Sequence, residues 1–179
     1  MSYPEDLVYP EPRYHGGRGE VNATFRPAGS PPDLTSPGGF TRYLATEEST
    51  GGEFGLYDVQ LGPRSPGAKT HFHKTMSESF YVVSGELELY DGDRWVTGRG
   101  GDFLYVPVGG LHGFRNTTDD PVRVLMLFSP GAPREEYFER VAEMSRRGGE
   151  ELKQFRIRHD SFFVEDFPSG GESGGDGPG

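Results

Sequence analysis

Between Phe40 and Phe128, apolar residues come in short alternating runs broken by turn residues. Alternation with a period of two puts successive side chains on opposite faces of a strand. The pattern predicts nine strands, at Thr41–Thr46, Phe54–Leu61, Lys69–His73, Glu78–Ser84, Glu86–Tyr90, Arg94–Thr97, Asp102–Val106, His112–Asn116 and Val122–Phe128. Asp91-Gly92-Asp93 is a hairpin signal, and Ser84-Gly85, Gly100-Gly101 and Gly109-Gly110 mark tight corners. With no helical period between the strands, the segment reads as an antiparallel sandwich or barrel. After Ser129-Pro130-Gly131 the spacing changes. Tyr137, Phe138, Val141, Ala142 and Met144 form a helical stripe, which predicts one helix over Pro133–Arg147 lying against an end or side of the barrel. Glu135 and Glu136 suit its first turn, Arg146 and Arg147 its last, and Gly148-Gly149 stops it.

The flanks differ. Prolines at 4, 10, 12, 27, 31, 32 and 37 exclude long helices and central strands from residues 1–39. Tyr3, Leu7, Val8, Tyr9, Tyr14 and Phe25 give that stretch apolar anchors, so it is expected to be an extended arm on the barrel or on a neighbouring subunit. Residues 40–130 are expected to form the barrel and 131–167 a helix and extension, with a short helix or strand as the two readings of 150–167. The tail 168–179, rich in glycine and serine, is expected to be disordered.

Lys and Arg number 18 and Asp and Glu 28, a formal net charge of −10, and no basic patch offsets it. Nucleic acid and anionic membrane surfaces are therefore not expected partners. No signal sequence or run of roughly 20 apolar residues is seen, so a cytoplasmic protein is expected. There is no cysteine, so any metal must be held by imidazole and carboxylate.

His71 and His73 stand two apart on a predicted strand and point to one face, while Phe72 points away. Glu78 follows on the next strand, and His112 arrives much later. Three imidazoles and a carboxylate suit Fe, Ni, Co, Mn, Cu or Zn in the divalent state and leave open positions for substrate. Each residue alone also has a plain reading, as a solvated sheet face or a hydrogen-bonded turn.

The surrounding glycines and proline join these residues into one pattern. His71, His73, Glu78 and Gly85 match the first motif of the cupin superfamily, and Gly101, Pro107, Gly109, His112 and Asn116 match every position of the second. Fifteen residues separate Gly85 from Gly101, as in compact bacterial cupins. One position departs: Ser65 stands where the family often has glycine, flanked by Gly62 and Gly67. The chain thus resembles a single-domain cupin. The resemblance implies an all-β fold, an antiparallel β-barrel of jelly-roll (double-stranded β-helix) type, with one divalent metal on His71, His73, Glu78 and His112. It also implies that Glu78 is the ligand able to take up a proton. Asn116 is expected at a strand end, not at the metal.

Strand parity directs Phe80, Phe114 and Tyr57 inward, with Met126 and Phe128 on one face of the last strand. These five are the candidate substrate-binding residues, and they imply an apolar, aromatic cavity for a small organic molecule. Glu78-Ser79-Phe80-Tyr81, and the Pro130-Gly131 turn leading to Tyr137-Phe138-Glu139, are similar to single-cupin flavonol (quercetin) 2,4-dioxygenases. The expected function is a metal-dependent dioxygenase using O2 on an aromatic or enolic substrate. The alternatives are an oxygen-independent isomerase, cyclase or lyase, or a non-catalytic binding cupin. A homodimer is expected from the apolar arm and open sheet edges.

Overall fold

In the computed structural model residues 9–167 are described, so Tyr3, Leu7, Val8 and the 168–179 tail lie outside them. The chain divides into two units, Met1–Ser30 and Pro31–Gly179. In the first, residues 9–30 contain no helix or strand. Their local order is a turn closed by Ser30 N donating to Pro27 O, together with a hydrogen bond from Tyr14 Oη to Arg18 O. Tyr9, Tyr14, Val21 and Phe25 are exposed.

The second unit has the two-sheet antiparallel architecture expected from the alternation. Its strands are β1 (Leu34–Ser36), β2 (Gly39–Ala45), β3 (Gly55–Leu61), β4 (Ala68–Phe72), β5 (Ser77–Ser84), β6 (Glu86–Tyr90), β7 (Trp95–Arg99), β8 (Phe103–Val106), β9 (His112–Arg115), β10 (Val122–Ser129) and β11 (Phe162–Phe163). The helices are α1 (Glu47–Thr50), α2 (Glu135–Arg147) and α3 (Gly149–Arg158). One sheet has the order β1-β2-β3-β10-β5-β8 and the other β11-β4-β9-β6-β7. All nine predicted strands are present, with ends within about two residues of those read from the alternation.

The chain crosses between sheets at the corners that the turn residues mark. Gly85 lies between β5 and β6, Gly101 between β7 and β8, and Gly109 between β8 and β9, all with positive φ. At Gly85 a Cβ would come within 2.9 Å of Pro121 O, so the close approach of strands excludes any side chain. Asn116 closes the β9–β10 turn. Its Nδ2 donates to Gly62 O and Asp120 O at 2.8 Å each, and its Oδ1 accepts from Thr118 N and Oγ1. It is the strand-end residue that its position suggested.

The crossing from β3 to β4 uses Gly67, at φ +57, where a Cβ would lie 2.0 Å from Phe114 O. The obstacle is backbone and cannot turn aside. Gly67→Ala therefore combines left-handed strain with overpacking and is expected to cost about 2–5 kcal/mol. Urea unfolding checks this; an unchanged midpoint at unchanged slope is the contrary result.

Register sets the core. Val124, Met126 and Phe128 of β10 face Val59, Tyr57 and Gly55 on one side, and Val82, Phe80 and Glu78 on the other. Tyr57, Val59, Phe80, Val82, Leu87, Leu89, Val124, Met126 and Phe128 form one buried cluster between the sheets.

The helical stripe divides its contacts. Phe138 packs on the barrel core, with its ring 4.9 Å from Tyr57, and Tyr57 Oη donates to Glu135 Oε1 at 2.7 Å. Tyr137 and Met144 turn instead to Phe155 of α3 in a second cluster. That second helix lies in the 150–167 stretch, which the sequence left open between a short helix and a strand. Gly148 and Gly149 both have positive φ, so they stop α2 as expected, and the reversed chain enters α3 at once with Glu150 and Glu151 in its first turn. Two short strands complete the sheets, β1 on the edge of β2 and β11 on the edge of β4. No helix among the described residues is long and apolar enough to cross a membrane.

Candidate metal centre

The β4–β9 pairing sets His71 directly opposite His112. His73 follows one residue beyond β4 and points to the same side as His71. Its carbonyl accepts from Gly109 N at 2.8 Å, tying it to the turn that precedes His112. Glu78 comes from the opposite sheet, on β5 beside Phe128 of β10. The ligand atoms of His71, His73, Glu78 and His112 all lie within 4.8 Å of one another, and all four residues are at most 3% exposed.

The hydrogen bonds fix the tautomers. His71 Nδ1 lies 2.8 Å from Lys69 O, His112 Nδ1 lies 3.0 Å from Gly110 O, and His73 Nδ1 contacts Asp160 O. A carbonyl only accepts, so each Nδ1 carries the proton and each Nε2 presents a lone pair. Yet Glu78 Oε2 stands 2.8 Å from His112 Nε2 and 3.1 Å from His73 Nε2. Acceptors packed against acceptors in a dry interior need a positive charge among them. A proton on His112 supplies part of it. Burial pulls that ring's pKa down, but the hydrogen bond and charge of Glu78 outweigh burial and raise it. His71 goes the other way, lowered by burial and by the neighbouring His112. Burial also pushes Glu78 upward, but its bonds to His112 and His73 overcome this and hold it well below the usual carboxylate range.

The four lone pairs could all be met by one divalent cation. Ligand atoms about 2.0–2.2 Å from a shared ion lie at most about 4.4 Å apart, so a contraction of a few tenths of an ångström suffices. The donor set and its orientation fit such an ion, and His71, His73, Glu78 and His112 are the residues that would hold it.

The five candidate substrate residues all face the interior, in two layers. Phe80 and Phe128 lie nearest the imidazoles, with ring centroids 6.0 Å from His112 and 6.1 Å from His73. Tyr57 sits behind Phe128 at 5.7 Å. Phe114, two residues beyond His112 on the same strand, packs 5.5 Å from Phe80. Of the five, Phe114 and Met126 line a cavity of about 470 Å³ with Val59, Ala68, Phe138 and Val141, so α2 forms one wall; Tyr57, Phe80, Phe128 and the four clustered residues are not part of its lining.

Strand parity did not reveal what lies over the imidazoles from outside the barrel. The Phe163 ring stacks on His71 at 4.7 Å and 10°. Asp160 reaches His73 through its carbonyl. Arg134, 3% exposed, donates to His159 O and Ser161 Oγ, and its guanidinium lies 4.2 Å from the Tyr137 ring centroid. No periodicity marks these residues. The only local hint is the short polar break Asp160-Ser161 before Phe162-Phe163.

A family model described as "Cupin domain" matches residues 57–128, which contain all four clustered residues but none of the segment over them. Protein SchB of Streptomyces halstedii is 32% identical over 54% of this chain and 70% of its own. Polyketide synthase CurC of Streptomyces cyaneus is 32% identical over 54% of this chain and 63% of its own. Quercetin 2,3-dioxygenase of Bacillus subtilis is 28% identical over 41% of this chain, and the match spans only 22% of that protein. With the two motifs, the two antiparallel sheets and these likenesses in agreement, the chain belongs to the cupin family.

Proposed function

We propose that this protein is a metal-dependent enzyme that transforms an enolic or phenolic small molecule. The observation that carries the reading is the buried carboxylate gathered with three imidazoles whose Nδ1 atoms are taken by backbone carbonyls, with an apolar cavity farther along the same strand. When bound, a divalent ion would supply Lewis acidity toward a substrate oxygen and favour its deprotonated form.

The protein's own residues do the rest. Backbone carbonyls at Lys69, Gly110 and Asp160 hold the three rings in one tautomer. Phe114, Met126 and Val59 would give a planar apolar substrate its walls. Glu78 is the proposed proton acceptor. Since His73 and His112 lower its proton affinity, it acts as a base only when its oxygen turns from those rings toward the substrate.

Cyclisation or isomerisation without oxygen comes first among the reactions, because the CurC likeness is closer and longer than that to quercetin 2,3-dioxygenase. Dioxygenation, with O2 as co-substrate, is the second reading, and the latter likeness favours it. The test loads the protein with Fe, Ni, Co, Mn, Cu or Zn in turn and supplies flavonols and enolisable poly-β-ketones, under air and under argon. Product formation under argon is the expected result. Stoichiometric oxygen uptake would favour the second reading, and no turnover with any metal would sink the enzymatic one.

A further inference from the structure

The segment over the imidazoles is built as a clasp, and its anchor is Asp160. This residue has φ +52, a left-handed conformation that Asp and Asn tolerate better than other side-chain-bearing residues. Its carboxylate reaches back to the chain just after His73. Lys74 N donates to Oδ1 at 3.0 Å, Thr75 N to Oδ2 at 2.9 Å and Thr75 Oγ1 to Oδ2 at 2.7 Å. Its main-chain carbonyl faces His73 Nδ1. One residue thus holds both the backbone and the ring of a single candidate ligand, from 87 positions away in sequence. Arg134 and the Phe163 stack hold the same turn from either side.

We propose that Asp160 is a positioning residue of the metal centre, so that the segment after α3 completes a site whose ligands all come from the barrel. This rests on the metal reading above. His71 and His112 are oriented by carbonyls two residues before them, fixed by their own strand and turn. His73 instead takes the carbonyl for its Nδ1 from the clasp, at Asp160. Groups that orient a ligand from behind are commonly worth 10–100-fold in metal affinity.

The experiment measures Co2+ affinity by chelator competition, the Co2+ visible spectrum and the metal-free melting temperature. It compares wild type, Asp160→Ala, Asp160→Asn, His73→Ala and Leu87→Ala. Leu87 is a buried core residue at the β6–β7 hairpin and touches no ligand, so its variant reports stability loss alone. Asp160→Ala is expected to bind Co2+ about 10–100-fold more weakly, with an altered spectrum. Asp160→Asn keeps the left-handed turn and one acceptor oxygen, so it is expected to recover part of the loss, to about 3–10-fold below wild type. Leu87→Ala should melt lower yet bind Co2+ as wild type does.

If Asp160→Ala binds within twofold of wild type, the positioning role is overturned. If that variant does not fold, Asp160→Asn decides, and wild-type affinity there overturns the role equally. An affinity loss in Leu87→Ala matching that in Asp160→Ala would reduce the clasp to general stability. Failure of the metal reading looks different: His73→Ala would then bind Co2+ as well as wild type.

Discussion

His112→Ala is expected to lower metal affinity by more than about a hundredfold, beyond the range that groups behind the ligands command. His112 is fully buried, its Nδ1 is engaged by Gly110 O, and its Nε2 lies 2.8 Å from Glu78. Alanine removes a lone pair and leaves the Glu78 carboxylate with one imidazole neighbour fewer in a dry interior. The remaining set is weaker as a chelate and costlier as a buried charge, so the variant should also melt below the wild type when both are metal-free. Elemental analysis of protein purified without chelators reads the first effect, and calorimetry the second. Equal metal content in wild type and variant would mean that the four residues are not the site.

Metal loading is expected to raise the melting temperature by about 8–16 °C. A ligand that binds only the folded state at a thousandfold excess over its dissociation constant contributes about 4 kcal/mol, and a chain of this size gains about 2–4 °C per kcal/mol. The sign follows from the geometry. Without a cation, a proton on His112 supplies only part of the positive charge that Glu78 Oε2 and the Nε2 atoms of His73 and His112 call for. A divalent ion would supply the rest and engage all four side chains at once. Scanning calorimetry of chelator-treated and reloaded protein decides it, and coincident transitions would count against an ion at this position.

The barrel was legible in the sequence because each strand carries its own signature. In β10 both faces carry apolar residues, so alternation grouped Val124, Met126 and Phe128 against Arg123, Leu125 and Leu127 without deciding between them, and the structure places the first set inward. The glycine corners were legible because a crossing between sheets needs backbone that only a few residues supply. His71 and His73 were visible as a pair because strand geometry fixes their common face. The segment after α2 was not. Gly148-Gly149 ends one helix and begins the next with the same two residues, so a stop signal concealed a start. Strand β11 is too short for any period: Phe163 turns onto His71 while its neighbour Phe162 stacks on Phe72. The link between Asp160 and His73 is a backbone contact across 87 positions, and no local pattern encodes a carbonyl's direction. Phe114 and Met126 were found as inward residues, but the wall that α2 adds to their cavity depends on how that helix docks.

The cluster draws its carboxylate from one sheet and its imidazoles from the strand pair β4–β9 of the other. An ion bound there would act as a rivet through both layers, in a chain that has no disulfide to do the same. Its removal should loosen the two halves against each other first, so hydrogen exchange should quicken along β4 and β9 before the β3–β10–β5 centre gives way.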